Sequence, residues 1–293
     1  MLISIVTATY NRAAYLPKLF DSLCKQTNQN FEWIVIDDGS TDNSLELLNE
    51  FNKRSPKFPI KVCTQKNAGK HVALNKSHSL IEGDVVWTLD SDDIAMDTAV
   101  EDITNYWIDY ELTEKLAMIN FLHVVEGRIE LSARFPDDFW CGENINYRYK
   151  KRIKGDFAET IRSDLFKQTP FPEYENEKFF SEGWLWIQFS EGYNSVNVNK
   201  VVQRGTYLED GLSSSNKEMF KIKSNARFGM QDLYAEMLRH KLPTSEIIKY
   251  SVMYNAYRKL NKKNYDLSWT AKLYVVATKP LASLLQVWKR MGI

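Results

Sequence analysis

The stretch VVWTLDSDDIAMD, residues 85–97, ends an apolar run abruptly in a cluster of acidic side chains. The apolar half is typical of a buried strand, and Asp90, Asp92 and Asp93 follow within four positions. Carboxylates this close repel one another, and each loses hydration if the protein covers it. Because a divalent cation would neutralise that repulsion, the stretch predicts a strand that ends at a cation site.

Strand and helix patterns alternate on both sides of this stretch. Apolar runs that begin at residues 2, 31, 60, 84 and 115 predict strands. Between them apolar residues recur at helical spacing, as at Leu16, Leu19, Phe20 and Leu23. This order predicts an α/β domain with a mainly parallel central sheet flanked by helices. Residues 217–265 show helical patterns, which predict a C-terminal helical extension.

Three polar clusters stand where predicted strands end: TATYNR (7–12), DDGSTD (37–42) and DSDD (90–93). Ligands of open α/β sheets bind beyond the carboxyl ends of the strands, so we expect these clusters to form one site. The first strand is followed by neither GxxxxGK[ST] nor GxGxxG. That disfavours the P-loop and dinucleotide-binding classes.

Composition narrows the class of protein further. Hydrophobic residues make up 44% of the 293, enough for a packed core. The three cysteines form no CxxC pair, so the sequence predicts no zinc site or disulfide framework and favours a reducing, cytoplasmic compartment. The first residues lack a basic segment, and we therefore expect no signal peptide.

A formal net charge of zero conceals a division along the chain. Residues 216–293 hold 15 Lys and Arg against 5 Asp and Glu. A basic tail on an acidic body suggests an anionic partner, either a membrane surface or a nucleic acid. The acidic body argues against nucleic acid, and a solvated helical face explains the same charges.

Four motifs in one order, TATYNR, FEWIVIDDGSTDNS, NAGKHVALNKS and EGDVVWTLDSDD, resemble the family 2 inverting glycosyltransferases of bacterial cell-surface glycan synthesis. The resemblance is close over residues 1–110 and looser to about 215. It implies the GT-A (nucleotide-diphospho-sugar transferase) fold, with a catalytic domain over 1–215 and an extension over 216–293. The donor half would span about 1–110 and the acceptor half about 111–215.

The resemblance implies transfer of a sugar from a nucleoside-diphosphate sugar, a UDP-sugar first of all, to a hydroxyl of a glycan or lipid-linked acceptor in polysaccharide biosynthesis. It places Tyr10 and the Ala8 backbone at the base and Asp38 at the base or ribose. Lys70, in the loop after the third strand, would approach base or phosphate. Packing of Tyr10 within its loop and a solvated Lys70 are the structural alternatives.

The DxD-type motif of the family binds ribose and a Mn²⁺ or Mg²⁺ ion. Here it reads Asp90-Ser91-Asp92. The resemblance therefore assigns Asp90 and Ser91 to the donor and Asp92 to the metal, whose oxygen preference carboxylates satisfy. Asp93 either touches the metal or caps the following segment.

An inverting transferase needs one general base for the acceptor hydroxyl. In the family it is often the Asp of an ED pair that heads a helix, whereas FFSEGWLWIQFSEG (179–192) carries Glu182 followed by Gly183. Glu182 is the first candidate, because apolar surroundings would raise its pKa. Alternatively, its negative charge only stabilises the N-terminus of the following helix through the helix dipole, and Ser181 caps that helix.

Other acidic residues compete for this role. Asp156, Glu173 and Glu175 are rival bases, although Asp156, together with Trp184, is also a candidate to hold the acceptor. Because the second acid after Glu182 is missing, a sugar-nucleotide-binding protein without catalysis stays an alternative. A nucleotidyltransferase is another, since it also needs metal and acids at strand ends.

Two further segments carry interaction hypotheses. RGTYLEDGLSSS (204–215) is either a segment that closes over the donor or an ordinary surface loop, with Asp210 and Ser213–Ser215 as contacts. Residues 267–278 are apolar but too short to span a membrane. One apolar helical face then follows, formed by Leu281, Leu284, Leu285, Trp288 and Met291. It fits peripheral binding to the inner face of a membrane, packing on its own domain, or a second subunit.

Overall fold

The fold is taken from a computed structural model. It describes residues 1–54, 56–110, 115–126, 134–151, 153, 155–190, 192–206, 226–257, 263 and 265–283. Two of the sequence hypotheses concern other parts of the chain. Asp210 and Ser213–Ser215, and the tail residues from Leu284 onward, lie outside the described residues.

One sheet of nine strands forms the centre of the described chain. The strands are β1 Ile3–Thr9, β2 Phe31–Asp37, β3 Ile60–Thr64, β4 Val85–Thr88, β5 Ile94–Ala95, β6 Leu116–Glu126, β7 Phe139–Gly142, β8 Phe157–Arg162 and β9 Asn194–Thr206. Their order across the sheet is β3-β2-β1-β4-β8-β6-β9-β5, and β7 also pairs with β9.

Strand direction divides this sheet in two. The first four strands pair in parallel, as the alternation of strands and helices predicts. Strand β8 then enters antiparallel between β4 and β6, and β5 and β7 are antiparallel to β9. The mainly parallel sheet therefore holds for β1 to β4, and β6 and β9 also pair in parallel. The complete sheet is mixed, because β5, β7 and β8 run antiparallel to their neighbours.

Helices cover both faces of the sheet. They are α1 Leu16–Cys24, α2 Ser44–Lys53, α3 Lys70–Ser77, α4 Ala99–Asp109, α5 Asn144–Lys150, α6 Ser163–Gln168, α7 Gly183–Gln188, α8 Arg227–Met237, α9 Thr244–Tyr257 and α10 Trp269–Ala277. The apolar stripe predicted from Leu16 to Leu23 is buried in α1. The helical character predicted for residues 217–265 is present in α8 and α9.

Successive side chains of a strand point to opposite faces of the sheet, and a hydrophobic core lies on each face. Trp33 and Val35 of β2 join the core under α1, α2 and α4. Ile34 and Ile36 of the same strand join the core that packs against α3, α6 and α7. Because both faces are covered, β2 is apolar at nearly every position instead of alternating with polar residues.

Helix α8 joins the C-terminal extension to the domain that contains the sheet. Its Leu233 and Met237 belong to the same core as Leu185 of α7. Its Tyr234 and Leu238 belong to a separate cluster shared with α9 and α10. The domain boundary near residue 215 stays a prediction. None of the helices in the described ranges combines the length and hydropathy that crossing a membrane requires.

Candidate active site

The polar clusters after β1 and β2 are tied together, as expected from their positions at the strand ends. Asn11 has a positive φ of 52°, a conformation that asparagine tolerates better than most residues. Its Oδ1 accepts the Thr41 N–H at 2.7 Å, and its own N–H donates to Ser40 Oγ at 2.9 Å. Next to it Tyr10 is 44% exposed and Ala8 is half-buried. Their contact with a base stays a prediction.

Asp38 organises the loop that follows β3. Its carboxylate accepts hydrogen bonds from the side chain of Gln65 and from the backbone N–H groups of Ala68 and Gly69, all at 2.8 Å. The side chain is buried, so Asp38 fixes where α3 begins. Lys70 is the first residue of that helix and not a loop residue. Whether Asp38 also meets a nucleotide stays a prediction.

Lys70 connects the acidic motif to the candidate base. Its ammonium forms an ion pair with Asp90 and a second with Glu182 Oε1 at 2.6 Å. Desolvation disfavours the charge, yet the two carboxylates outweigh it and raise the pKa of Lys70. Lys70 therefore stays cationic and holds Glu182 near Asp90.

The three carboxylates of the opening stretch have different environments. Desolvation opposes ionisation of Asp90, but Lys70 and Arg12 lower its pKa. For Asp92, desolvation and the charges of Asp90 and Asp93 raise the pKa to about 6, against the attraction of Arg12. Of the three aspartates, Asp92 is therefore the one whose repulsion by its acidic neighbours is least offset by nearby cations.

Asp93 faces inward and is held by later strands. Its Oδ2 accepts the Gln203 amide at 2.5 Å, and its Oδ1 lies 3.4 Å from His123 Nε2. Gln203 Oε1 in turn accepts the Trp87 indole N–H at 3.3 Å. Desolvation raises the pKa of Asp93 despite His123. Desolvation lowers the pKa of His123, but Asp93, Asp90 and Asp156 outweigh it and raise that pKa. Asp93 therefore braces β4 against β6 and β9.

The donor set fits a divalent ion that is shared with a substrate. Among the residues that the structure describes, no group of three or more acidic, His or Cys side chains forms a metal cage. Mg²⁺ typically takes one or two protein carboxylates and completes its shell with substrate phosphates and water. Asp92 suits that role, because a cation would offset the desolvation and the charges of Asp90 and Asp93 that raise its pKa.

Glu182 precedes α7 directly, as predicted. Ser181 Oγ accepts the Gly183 N–H at 3.2 Å, but the N-cap position of α7 is Glu182, which makes no capping hydrogen bond through its side chain. Desolvation raises the pKa of Glu182, Asp90 and Asp156 add to the rise, and Lys70 opposes it. Trp184 packs edge-on against Phe180 in the core, with ring centroids 5.6 Å apart. Its contact with an acceptor stays a prediction.

Sequence reasoning missed two charged residues, Glu159, on which the charge of Glu182 acts, and Arg148, whose charge acts on Glu159. Desolvation, Glu182 and Asp156 raise the pKa of Glu159 on β8 to about 7, although Arg148 and Lys70 oppose this. Arg148 of α5 lies 5.0 Å from the centre of the Trp186 ring. Periodicity gives no signal for either residue, because both lie where the strand and helix patterns are irregular.

The three rival candidates for the general base lie in different surroundings. Asp156 is exposed, and its charge acts on both Glu182 and Glu159. Glu173 instead accepts a hydrogen bond from Asn75 of α3 at 2.7 Å, and Glu175 is exposed. The structure therefore brings Asp156, and not Glu173, into the electrostatic environment of Glu182.

Gly69 is required by the close approach of the loop that carries Glu182. Its φ is +105°, and a Cβ there would lie 2.3 Å from the Lys178 carbonyl oxygen. We expect Gly69→Ala to destabilise the fold by about 2–4 kcal/mol, combining backbone strain with a steric overlap, and to lower turnover at least tenfold. Thermal and denaturant unfolding, with turnover at a temperature where the variant is folded, measure both effects.

Gly192→Ala is the matched control for that substitution. Gly192 also has a positive φ, +86°, but an added Cβ would meet no atom within 4 Å. It should cost only the strain, about 1 kcal/mol, and leave turnover intact. Equal losses in the two variants would show that the contact with Lys178 does not matter.

Comparison with known proteins identifies the first part of the chain. Residues 4–113 match the model of glycosyl transferase family 2. This part of the chain belongs to that family. The family 2 region includes Tyr10, Asp38, Lys70 and the Asp90–Asp93 cluster, whereas Glu182 lies beyond it.

Curated relatives match mainly in the same region. The undecaprenyl-phosphate 4-deoxy-4-formamido-L-arabinose transferase of Pseudomonas savastanoi pv. phaseolicola is 39% identical over 93 residues, which are 31% of this chain and 28% of the relative. The chain spans only about a third of the length of the curated relatives that it matches.

Solved structures extend the likeness over the remaining fold. S. aureus TarS 1–349 in complex with UDP-GlcNAc aligns with a TM-score of 0.63 at 21% identity, over 88% of this chain and 72% of TarS. The mannosyltransferase PcManGT of Pyrobaculum calidifontis, in complex with GDP-Man and Mn²⁺, aligns at 0.58 and 14% identity, over 99% and 80% of the two chains. The family 2 region is therefore part of a GT-A fold, as the sequence motifs implied.

Proposed function

We propose that this chain is an inverting, metal-dependent glycosyltransferase that moves a sugar from a nucleoside-diphosphate sugar to a lipid-linked or glycan acceptor. The observation that carries the proposal is the Lys70 bridge between Asp90 of the acidic motif and Glu182. One ammonium ion connects the place where donor phosphates would bind with a carboxylate able to accept a proton. The family 2 match supports the reaction class.

The chemistry follows from these positions. Glu182 accepts the proton of the acceptor hydroxyl, and the acceptor oxygen attacks the anomeric carbon. The bond from that carbon to the diphosphate breaks, and nucleoside diphosphate leaves from the opposite face. Lys70 and Arg12 supply positive charge to the leaving group. A Mn²⁺ or Mg²⁺ ion held by Asp92 would add Lewis-acid stabilisation of the diphosphate.

Lys70 links donor binding to the strength of the base. The donor diphosphate competes with Glu182 for the ammonium ion. Because Lys70 holds down the pKa of Glu182 in the free protein, a Glu182 that loses this partner becomes a stronger base. A general base works best when its pKa approaches the working pH.

A nucleotide panel tests the proposed function. Thermal unfolding is recorded with UDP-, GDP-, CDP- and dTDP-sugars, each with and without Mn²⁺. The proposal expects a metal-dependent rise in Tm for one nucleotide class, with UDP favoured by the likeness to the UDP-GlcNAc complex of TarS. The absence of any shift for the folded protein would overturn it.

The pH dependence of kcat/KM reports the free enzyme. Turnover should fall as Glu182 becomes protonated, at a pH above the ordinary carboxyl value of 4.5, because its pKa is raised. Lys70→Met removes the cation that favours the ionised form. The acidic limb of the profile should therefore move upward by roughly one pH unit.

Lys76→Met is the control for that profile, since Lys76 is an exposed lysine of the same helix. Its acidic limb should coincide with that of the unmodified enzyme. A limb that stays in place or moves downward in Lys70→Met would contradict the electrostatic link between Lys70 and Glu182.

We further propose that the extension docks the enzyme on an anionic membrane surface. Helix α10 packs inward through Ala271 and Val275, so this part of the tail does pack on its own domain. It also exposes Trp269, Leu273 and Val276, which share the opposite face at helical spacing. A Trp-bearing apolar face in a basic segment suits the membrane interface, and an undecaprenyl-phosphate relative supports a lipid-linked acceptor.

Vesicle sedimentation tests this surface. The double variant Trp269→Ser and Leu273→Ser should bind vesicles of mixed anionic and zwitterionic lipid at least tenfold more weakly, because it loses about 2 kcal/mol or more of apolar contact. Ile108→Ser, at an exposed apolar position of α4, should bind as the unmodified chain does. Unchanged binding by the double variant would exclude α10 as the docking surface.

A further inference from the structure

We infer that helix α8 of the C-terminal extension positions Glu182, with Glu177 as the positioning residue. The inference deepens the proposed function and rests on the role of Glu182 given there. The relevant segment is 177–182, which leads into α7 and ends at Glu182. It is held between two helices that are far apart in the sequence.

Glu177 fastens the start of this segment to the extension. Its two carboxylate oxygens accept the backbone N–H groups of Phe228 at 2.7 Å and Gly229 at 2.9 Å. These N–H groups lie in the first turn of α8, where they have no partner within the helix. The carboxylate also complements the positive end of the helix dipole, and Glu177 is buried. These two hydrogen bonds therefore fix the segment to the N-terminus of α8.

Phe180 makes the second contact with α8. A Cβ added to Gly229 would lie 2.6 Å from Phe180 Cδ2, so the ring rests directly against the helix backbone. On its other sides Phe180 contacts His71 of α3 and Trp184 of α7. The Phe180 ring therefore packs between α8 of the extension on one side and α3 and α7 on the other.

Helix α3 holds the segment from the opposite side. The Lys178 carbonyl lies against the Gly69 backbone, where a Cβ would approach to 2.3 Å. The next residue, Lys70, pairs with Glu182. The segment thus contacts α8 through residues 177 and 180, and it contacts the start of α3 through residues 178 and 182. Loosening α8 should let Glu182 leave the position from which it faces Asp90.

Kinetics and hydrogen exchange of the full-length chain test the inference. In Glu177→Ala, kcat should fall at least tenfold while the donor KM stays within twofold, because the donor-binding candidates lie at the ends of β1, β2 and β4 and at the start of α3, and none belongs to the segment 177–182. Glu177→Gln keeps one acceptor oxygen and should fall between Glu177→Ala and the unmodified enzyme. Backbone exchange in residues 178–184 should quicken in the same order.

Gly229→Ala gives a second, independent test. Alanine favours a helix interior over glycine, so helix propensity alone predicts an unchanged or more stable protein. The added methyl group must instead displace Phe180. We expect kcat to fall at least fivefold and exchange in residues 178–184 to quicken.

Asn255→Ala separates positioning from general weakening of the extension. Asn255 Nδ2 donates to Val275 O at 2.6 Å and to Thr278 Oγ1 at 3.1 Å, within the α9–α10 contact. This variant should lose stability but keep kcat. The inference is overturned if Glu177→Ala lowers kcat no more than Asn255→Ala does, or leaves exchange in 178–184 unchanged.

The two proposals can fail separately. If Glu182→Gln retains full turnover, the proposed base is wrong, whereas the exchange measurements still decide whether α8 holds the segment. If Glu182→Gln is inactive and the Glu177 variants match the unmodified enzyme in kcat and exchange, only the positioning by α8 is wrong.

Discussion

Glu182→Gln should lower kcat for sugar transfer by about 10²–10⁴-fold, the usual contribution of a positioned general base. Glutamine keeps the size of the side chain and can still accept the Lys70 ammonium, but it cannot take a proton from the acceptor. The donor KM should therefore stay within about twofold. Initial rates at varied donor concentration measure both quantities.

The neighbouring carboxylates supply the controls for this variant. Glu175→Gln alters an exposed acid of the preceding segment and should not change kcat. Asp156→Asn and Glu159→Gln alter the two acids that share the electrostatic environment of Glu182. If one of them loses activity by 10²-fold or more while Glu182→Gln stays active, that residue and not Glu182 is the base.

Asp92→Asn should abolish the metal-dependent binding of the donor without weakening the fold. The pKa of Asp92 is raised to about 6 from an ordinary value of 3.8. The folded protein therefore binds this proton more tightly than the unfolded chain, and stability falls as pH rises from about 4 to 6. At pH 7.5 the unmodified protein carries that cost in full, and the neutral amide removes it.

Calorimetry with and without Mn²⁺ and nucleotide sugar tests both effects of Asp92→Asn. A ligand at 100 times its Kd stabilises the unmodified protein by about 2.7 kcal/mol, and the variant should lose this gain. Its Tm without ligand should equal or exceed that of the unmodified protein at pH 7.5. Asp97→Asn, at an exposed acid of the next loop, should keep the full ligand effect. A metal-dependent shift that persists in Asp92→Asn would exclude Asp92 as the ligand.

The part of the candidate site at the ends of β1, β2 and β4 could be predicted from the sequence because it follows local rules. Apolar runs locate β1, β2 and β4, and the polar residues that follow each run meet at one edge of the sheet. The hydrogen bonds between Asn11 and the Ser40–Thr41 turn confirm that expectation for the clusters after β1 and β2. The triplet of aspartates is explained in part by Lys70 beside Asp90 and by His123 and Gln203 beside Asp93.

The part of the candidate site around Glu182 could not be predicted in the same way, because its contacts join residues far apart in the chain. Lys70 and Glu182 are 112 positions apart, and no periodicity relates them. Glu159 and Arg148 lie in irregular sequence. The antiparallel entry of β8, which brings Glu159 to the cleft and makes the sheet mixed, has no local signal either.

The phosphate product of turnover tests the central claim most directly. The full-length protein is incubated with Mn²⁺, the nucleotide sugar that the panel selects and a polyprenyl-phosphate acceptor, and the phosphate species are resolved by ³¹P NMR. We predict stoichiometric nucleoside diphosphate with a glycosylated lipid, and neither in Glu182→Gln. Pyrophosphate as the product would indicate a nucleotidyltransferase, and binding without any release would indicate a sugar-nucleotide-binding protein. Either result would contradict the glycosyltransferase mechanism.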